Sequence, residues 1–275
     1  MDNAAVQAFE LCPPVRLRTL RGVLTDIDDT LTAEGRIEPV ALQALQRLQR
    51  SGIPVIAITG RPAGWSEPFA LAWPVAAIVA ENGAVMLRRD RAGALRIDFT
   101  QDEASRAANA LRLRRCADEV LARVSGSKLA TDSPGRLTDI AIDHSEFAHL
   151  DPAQIEAVCA VMQEHGLRAT VSSIHINGWL GEHSKWTAAR WAVETALAMP
   201  FDAHEWLYVG DSANDQLMFE RMPLSVGVAN IARFLPALRS LPSYVTAGER
   251  GRGFAEVAQA LLRRDHYDSD ATRPA

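Results

Sequence analysis

The feature that most constrains this chain is a repeated alternation. Short apolar, β-branched runs are separated by stretches with helical periodicity, first over residues 20–87 and again after residue 184. Residues 20–26 (LRGVLTD) are mostly apolar up to an acidic end. Residues 38–51 (EPVALQALQRLQRS) set Leu42, Leu45 and Leu48 among polar residues and close at Gly52, which predicts an amphipathic helix. Residues 53–62 (IPVIAITGRP) form a second apolar run ending at a turn. Residues 75–87 (VAAIVAENGAVML) read as two short strands joined at Asn82-Gly83. Strand, helix, strand at this spacing implies an α/β fold: a parallel sheet with right-handed crossovers and helices on both faces.

From about residue 90 the pattern changes. A long polar helix over 102–124 is followed by strand-like stretches near 127–131 and 136–143. A second helix opens at Asp151-Pro152 and runs to about 165, and 167–176 (LRATVSSIHI) reads as one strand. Two helices against a few antiparallel strands predict a compact α+β insert. After residue 184 the first pattern resumes, with a helix over 184–198, a strand over 205–211, a helix over 212–221, a strand over 224–229 and a last helix near 252–264. The expected organisation is a core of residues 1–88 and 182–265, a smaller domain over 89–181, and a disordered tail over 266–275.

Polar residues gather at one kind of place, the carboxyl ends of the core strands, where open parallel sheets bind their ligands. Asp26, Asp28, Asp29 and Thr30 follow the first strand, and Thr59, Gly60 and Arg61 follow the second. Asp211, Ser212, Asn214 and Asp215 follow the late strand, and Lys185 starts the helix that returns the chain to the core. So many carboxylates at the end of a buried strand repel one another and resist desolvation, so a cation is expected among them.

These residues carry a resemblance. In order along the chain they resemble the four motifs of the haloacid dehalogenase superfamily, specifically its phosphatases with a large α/β cap. The first motif is matched by Asp26-Ile27-Asp28-Asp29-Thr30, the second by Thr59 in ITGR, the third by Lys185 and the fourth by Gly210 to Asp215 (GDSAND). The likeness spans roughly residues 20–264. It implies a Rossmann-like core with an α+β cap over 89–181 inserted between the second and third motifs.

The resemblance also implies a chemistry. Mg2+ would be held by the Asp26 side chain, the Asp28 backbone carbonyl, Asp211 and Asp215, all hard oxygen ligands. Asp26 would be the nucleophile, forming an aspartyl-phosphate, and Asp28 the general acid and base. Thr59 and Lys185 would hold the phosphoryl oxygens, and Asn214 would orient Lys185 or the acidic loop. Relatives with such caps hydrolyse sugar phosphates, including sucrose phosphate, trehalose phosphate and mannosylphosphoglycerate, so a small phosphorylated metabolite, most naturally a sugar phosphate, is the expected substrate. Two alternatives stay open, a sugar phosphomutase of the same fold and a metabolite-binding regulatory protein without turnover.

Other residues are candidates for contact with a leaving group: Gly60 and Arg61 after the second strand, where Arg61 could equally pair with an acidic neighbour, and His175, Asn177, Trp179 and Glu182 between insert and core, each of which could instead be structural. Trp65 and Trp73 are at a spacing that packs a helix onto a core. His144, His149 and His165 show no ligand spacing and are expected at the surface.

Composition narrows the remaining classes. The 275 residues carry a net charge of −5, which disfavours a nucleic-acid partner, and Arg112, Arg114 and Arg115 read as a solvated helix face. Cys12, Cys116 and Cys159 are far apart, without metal or disulfide spacing. The opening MDNAAVQAFELCPP lacks the basic-then-apolar pattern of a signal peptide, and no apolar run approaches the roughly 18 residues that span a bilayer. The expectation is a cytoplasmic protein, monomeric or homodimeric, with no membrane partner.

Overall fold

The structure, a computed structural model, describes residues 6–264. The tail expected to be disordered lies outside the described residues. The chain forms two compact units. One is built from the described parts of Met1–Ala57 and Ala189–Ala275 together with Trp73–Ala76, and the other from Ile58–Ala72 and Ala77–Ala188. Residues 58–72 and 77–88 thus share a unit with the segment 89–181.

The first unit is a parallel sheet in the order Gln7–Ala8, Tyr244–Val245, Ser225–Gly227, Trp206–Gly210, Gly22–Thr25 and Val55–Ile58. Its central strands are buried along their whole length, and accordingly they read as continuous apolar runs without alternation. Gly22 has a packing reason: a Cβ there would collide with the Trp206 ring and come within 2.8 Å of the Pro54 carbonyl. The helix Pro39–Arg50 begins with Pro at its first turn, buries Ala41, Ala44, Leu45 and Leu48, and packs on the helix Arg250–Arg263. Sequence reading takes 212–221 as one helix; the structure has a 3-10 turn, Ala213–Asp215, before the helix Gln216–Arg221. The short strand Gln7–Ala8 and its partner Tyr244–Val245 have too few residues to show a period.

In the second unit, Ala77–Ala80, Val85–Arg89 and Leu95–Phe99 run antiparallel. The turn between the first two is the sequence ENG, with Glu81, Asn82 and Gly83 all at positive φ (51°, 55° and 116°). The strand Leu95–Phe99 escapes the sequence reading, although LRIDF alternates; Asp98 on it pairs across to Arg88 at 3.1 Å. A separate antiparallel sheet runs in the order Arg168–Val171, His175–Trp179, Asp139–Asp143 and Lys128–Leu129. The single strand expected over 167–176 is therefore the first strand and the opening of the second, divided at Ser172–Ile174, where Ser172 N–H donates to the His175 carbonyl at 2.9 Å. The helices Glu103–Arg123 and Pro152–Glu164 close over this sheet around Leu113, Cys116, Val120, Val158, Met162 and Ile176. Both start on side-chain caps: Asp102 accepts from Ser105 N–H, and Asp151 forms a capping box with Gln154. The helix Ala63–Ala72 packs against Val85–Arg89, and its Trp65 ring lies 4.5 Å from Phe69.

Candidate active site

The acidic cluster follows from strand register. Gly22–Thr25 and Trp206–Gly210 pair in parallel with Thr25 opposite Val209, and Asp26 N–H donates to the Val209 carbonyl at 2.8 Å. Two acidic turns that leave neighbouring strands at the same level must meet. The carboxylates of Asp26, Asp211 and Asp215 offer oxygens all within 4.8 Å of one another, and all three residues are buried.

Each carboxylate has its own setting. Asp215 accepts the N–H groups of Asp211 (2.9 Å) and Ser212 (3.1 Å) on one oxygen and the Tyr208 hydroxyl on the other. Gly210 permits this, because a Cβ there would strike the Asp215 carboxylate. Asp211 Oδ2 accepts from Asn230 Nδ2 at 3.0 Å and from Arg233 Nη2 at 3.3 Å. Asp211 Oδ1 is buried and has no hydrogen-bond partner among the described residues. Burial, then the charges of Asp26, Asp215 and Asp29, push the Asp211 carboxyl far above the usual range, and Arg233 only partly opposes them. An orphaned carboxylate oxygen among three converging acids fits a hard divalent cation.

Asp28 and Asp29 lie half-buried in the turn after the first strand. Asp29 takes φ of 54°, a left-handed conformation that Asp tolerates better than most residues. Its carbonyl accepts from Asn230 Nδ2 at 3.0 Å, and its carboxylate from Arg233 (2.9 Å) and Arg250 (3.0 Å). Asn230, Arg233 and Arg250 are absent from the sequence reading. Asn230 carried a usable signal, since it follows the strand Ser225–Gly227 at the same carboxyl edge. Asn214 accepts from the Ser212 hydroxyl at 3.0 Å.

The other expected residues belong to the second unit. Thr59 is buried directly after the strand Val55–Ile58, where its hydroxyl accepts Arg61 N–H at 3.0 Å. The Gly60 carbonyl accepts from Arg136 Nη1 (3.0 Å) and Asn177 Nδ2 (3.3 Å). Arg61 is buried and paired with Asp132 (3.1 Å) and Glu146 (3.3 Å), with its guanidinium over the Trp65 ring. Buried His175 meets the other oxygen of Glu146 at 2.8 Å. Lys185 is buried as the first residue of the helix Lys185–Ala196. Trp179 is also buried, stacked on His183, which leaves no face for a sugar, and Glu182 is exposed and pairs with Arg168. Of the three histidines expected at the surface, His149 is exposed, while His144 and His165 are half-buried against the Ser172 carbonyl and Glu119. The structure thus defines two clusters: Asp26, Asp211 and Asp215 in the first unit, and the turn Thr59–Arg61 with Asn177 and His175 in the second.

A parallel sheet with three buried carboxylates converging at its strand ends forms a centre that could hold a metal cation. Residues 23–126 match the family described as haloacid dehalogenase-like hydrolase. The phosphoglycolate phosphatase of Methanothermobacter thermautotrophicus is 27% identical over 252 residues, covering 88% of this chain and 99% of the relative. A structure from Thermoplasma acidophilum superposes with a TM-score of 0.68 at 19% identity, covering 88% of this chain and 98% of its own. The sucrose-phosphatase of Synechocystis sp. PCC6803, solved with sucrose and phosphate, gives 0.64 at 17% identity over 88% of this chain and 98% of its own. The chain is thus similar to haloacid dehalogenase-like hydrolases over residues 23–126 and, over most of its length, to proteins named phosphoglycolate phosphatase. Among the described residues no helix is long and apolar enough to cross a membrane.

Proposed function

We propose that this chain is a Mg2+-dependent phosphomonoesterase that hydrolyses a small phosphorylated metabolite through an aspartyl-phosphate on Asp26. The observation that carries the reading is the convergence of buried Asp26, Asp211 and Asp215, together with an Asp211 oxygen that has no hydrogen-bond partner among the described residues. The cation would be held by Asp26, the Asp28 carbonyl, Asp211 and Asp215, and would supply the positive charge that lets a carboxylate approach an anionic phosphoryl group. Asp26 attacks phosphorus in line as the bond to the leaving oxygen breaks. Asp28 gives that oxygen its proton, then takes one from the water that releases phosphate. Thr59 and Lys185 hold the remaining phosphoryl oxygens, and Asn214 supports the acidic loop.

For the leaving group, the sugar reading rests on the cap resemblance. The names of full-length relatives favour glycolate instead. A glycolate carboxylate needs a cation, and Arg61, the nearest sequence candidate, already balances Asp132 and Glu146. That pairing favours an uncharged leaving group in this chain. The test is phosphate release from a panel holding phosphoglycolate and several sugar phosphates, with Mg2+ and with chelator, and Asp26→Asn as control. Magnesium-dependent release that Asp26→Asn abolishes supports the reading, and the preferred ester decides between the two leaving groups. Conversion of a sugar phosphate to its isomer without free phosphate would instead favour a mutase.

A further inference from the structure

The second unit contains a buried charged network that the reaction scheme does not use. Arg136 Nη1 donates to the Gly60 carbonyl at 3.0 Å and to both oxygens of Asp139 at 2.9 Å. Its Nε and Nη2 reach Asp132 Oδ1 at 3.3 and 3.1 Å, and Asp132 Oδ2 in turn pairs with Arg61 at 3.1 Å. Asn177 joins the same two acceptors, the Gly60 carbonyl and Asp139 Oδ2. Arg136 and Asp139 are almost completely buried at their side chains, 3% and 0% exposed.

Glu81 closes the network from the other side of the turn. Its carboxylate, fully buried, accepts the N–H groups of Ala63, Leu137 and Thr138 and the Thr138 hydroxyl. Its backbone N–H donates to the Arg61 carbonyl at 2.9 Å, and Asn82 N–H donates to the Thr59 carbonyl at 3.0 Å. Glu81 and Asn82 reach these positions only at positive φ. A non-glycine backbone so held persists where its surroundings over-determine it. The three carbonyls Thr59, Gly60 and Arg61 are therefore each tied, two to the ENG turn and one to Arg136.

We propose that Arg136 is a positioning residue for the turn that carries Thr59: by fixing the Gly60 carbonyl, with Asp139 and Asn177 fixing Arg136 in its turn, it sets where the Thr59 hydroxyl and the turn's N–H groups meet a phosphoryl group. The inference rests on Thr59 being the phosphate-binding residue. A purely structural alternative is specific enough to be tested against it. Exposed ion pairs position little, but a buried guanidinium locked by two carboxylates holds its acceptor in one geometry.

The test compares wild type with Arg136→Lys, Arg136→Ala and Asn177→Ala. Three quantities are read: the thermal midpoint, the affinity for inorganic phosphate by calorimetry in Mg2+, and kcat and KM for the best ester of the panel. Lysine keeps the charge but cannot reach Gly60 and both carboxylates together. The expected result is roughly tenfold weaker phosphate binding in Arg136→Lys, with a matching fall in kcat/KM, at a midpoint close to wild type. Millimolar guanidinium should restore part of the loss in Arg136→Ala and none in Asn177→Ala. Folded Arg136→Lys with wild-type phosphate affinity and kcat/KM overturns the proposal, as does a loss explained wholly by a lowered midpoint. If Arg136→Ala does not fold, Arg136→Lys and Asn177→Ala decide. The calorimetric arm separates the two readings. Wild type that binds phosphate but releases none from any ester contradicts the esterase and leaves the positioning comparison intact, whereas wild type that binds no phosphate overturns both.

Discussion

Asp215 Oδ2 accepts the backbone N–H of Asp211 at 2.9 Å, so one member of the acidic cluster fixes the main chain of another. The same oxygen takes Ser212 N–H, and the Tyr208 hydroxyl completes the set from below. Burial, with Asp215 next, holds the Tyr208 hydroxyl in its protonated, donating form. Asp215 therefore builds the loop on which Asp211 stands.

The first prediction follows. Asp215→Ala leaves two buried N–H groups without an acceptor and should destabilise the fold by roughly 2–4 kcal/mol in urea unfolding. Asp215→Asn keeps an acceptor oxygen towards those groups and should cost less. Equal stabilities for the two variants would contradict the framing role.

The second prediction concerns Asp211, whose carboxyl is pushed up by burial and by neighbouring acids. A folded-state pKa above the unfolded value makes the ionised form a destabilising one at neutral pH in chelator. Asp211→Asn should therefore melt above wild type in chelator. With Mg2+ at a hundredfold excess over its dissociation constant, wild type should gain about 2.7 kcal/mol and the variant nothing. Calorimetric melts in the two conditions check the reversal of order.

How far the sequence foresaw this site depends on which residues carry it. Asp26, Asp211 and Asp215 were legible because parallel register forces strand-end residues together, and spacing alone reveals strand ends. Asn230 shared that signal. Arg233 and Arg250 did not: they lie in irregular or helical segments and meet Asp29 only because of how the chain folds back. For Arg61 the sequence left substrate contact and an acidic partner both open; the structure shows acidic partners, Asp132 and Glu146, which lie 71 and 85 residues away and could not be named from spacing. Most strands of the second unit were visible as apolar or β-branched runs, Leu95–Phe99 excepted, and the division at Ser172–Ile174 was hidden because residues 167–176 hold no Gly or Pro to mark a turn.

The third prediction uses Arg233, whose side chain is 46% exposed while pairing with Asp29 and Asp211. An exposed pair contributes about 0–1 kcal/mol, so Arg233→Ala should barely change stability. Removing a positive charge beside Asp211 should nevertheless tighten Mg2+ binding several-fold at low salt, and less at high salt as screening grows. Titration calorimetry at two ionic strengths checks both statements, and weaker binding in the variant would refute them.

A fourth prediction is pH-dependent. Burial, with Arg168 adding to it, lowers the His183 imidazole to about 4, and its Nε2 has no hydrogen-bond partner among the described residues. A depressed histidine contributes stability that is present above the unfolded value near 6.5 and lost as pH falls toward 4. Between pH 7 and pH 5 that amounts to about 2 kcal/mol, from these two values. His183→Phe should flatten this part of the profile in urea titrations at the two pH values. A variant with the wild-type slope would show that other groups set it.

The central claim is that Asp26 takes the phosphoryl group. The most direct measurement is a rapid acid quench during turnover of the best ester, reduction with borohydride and peptide mass spectrometry. An acyl phosphate on Asp26 would be reduced to homoserine at that position. The account predicts homoserine at residue 26, dependent on Mg2+ and on substrate, and nowhere else in the chain. Steady release of phosphate with residue 26 unmodified at every quench time, or with the label on another residue, would contradict it.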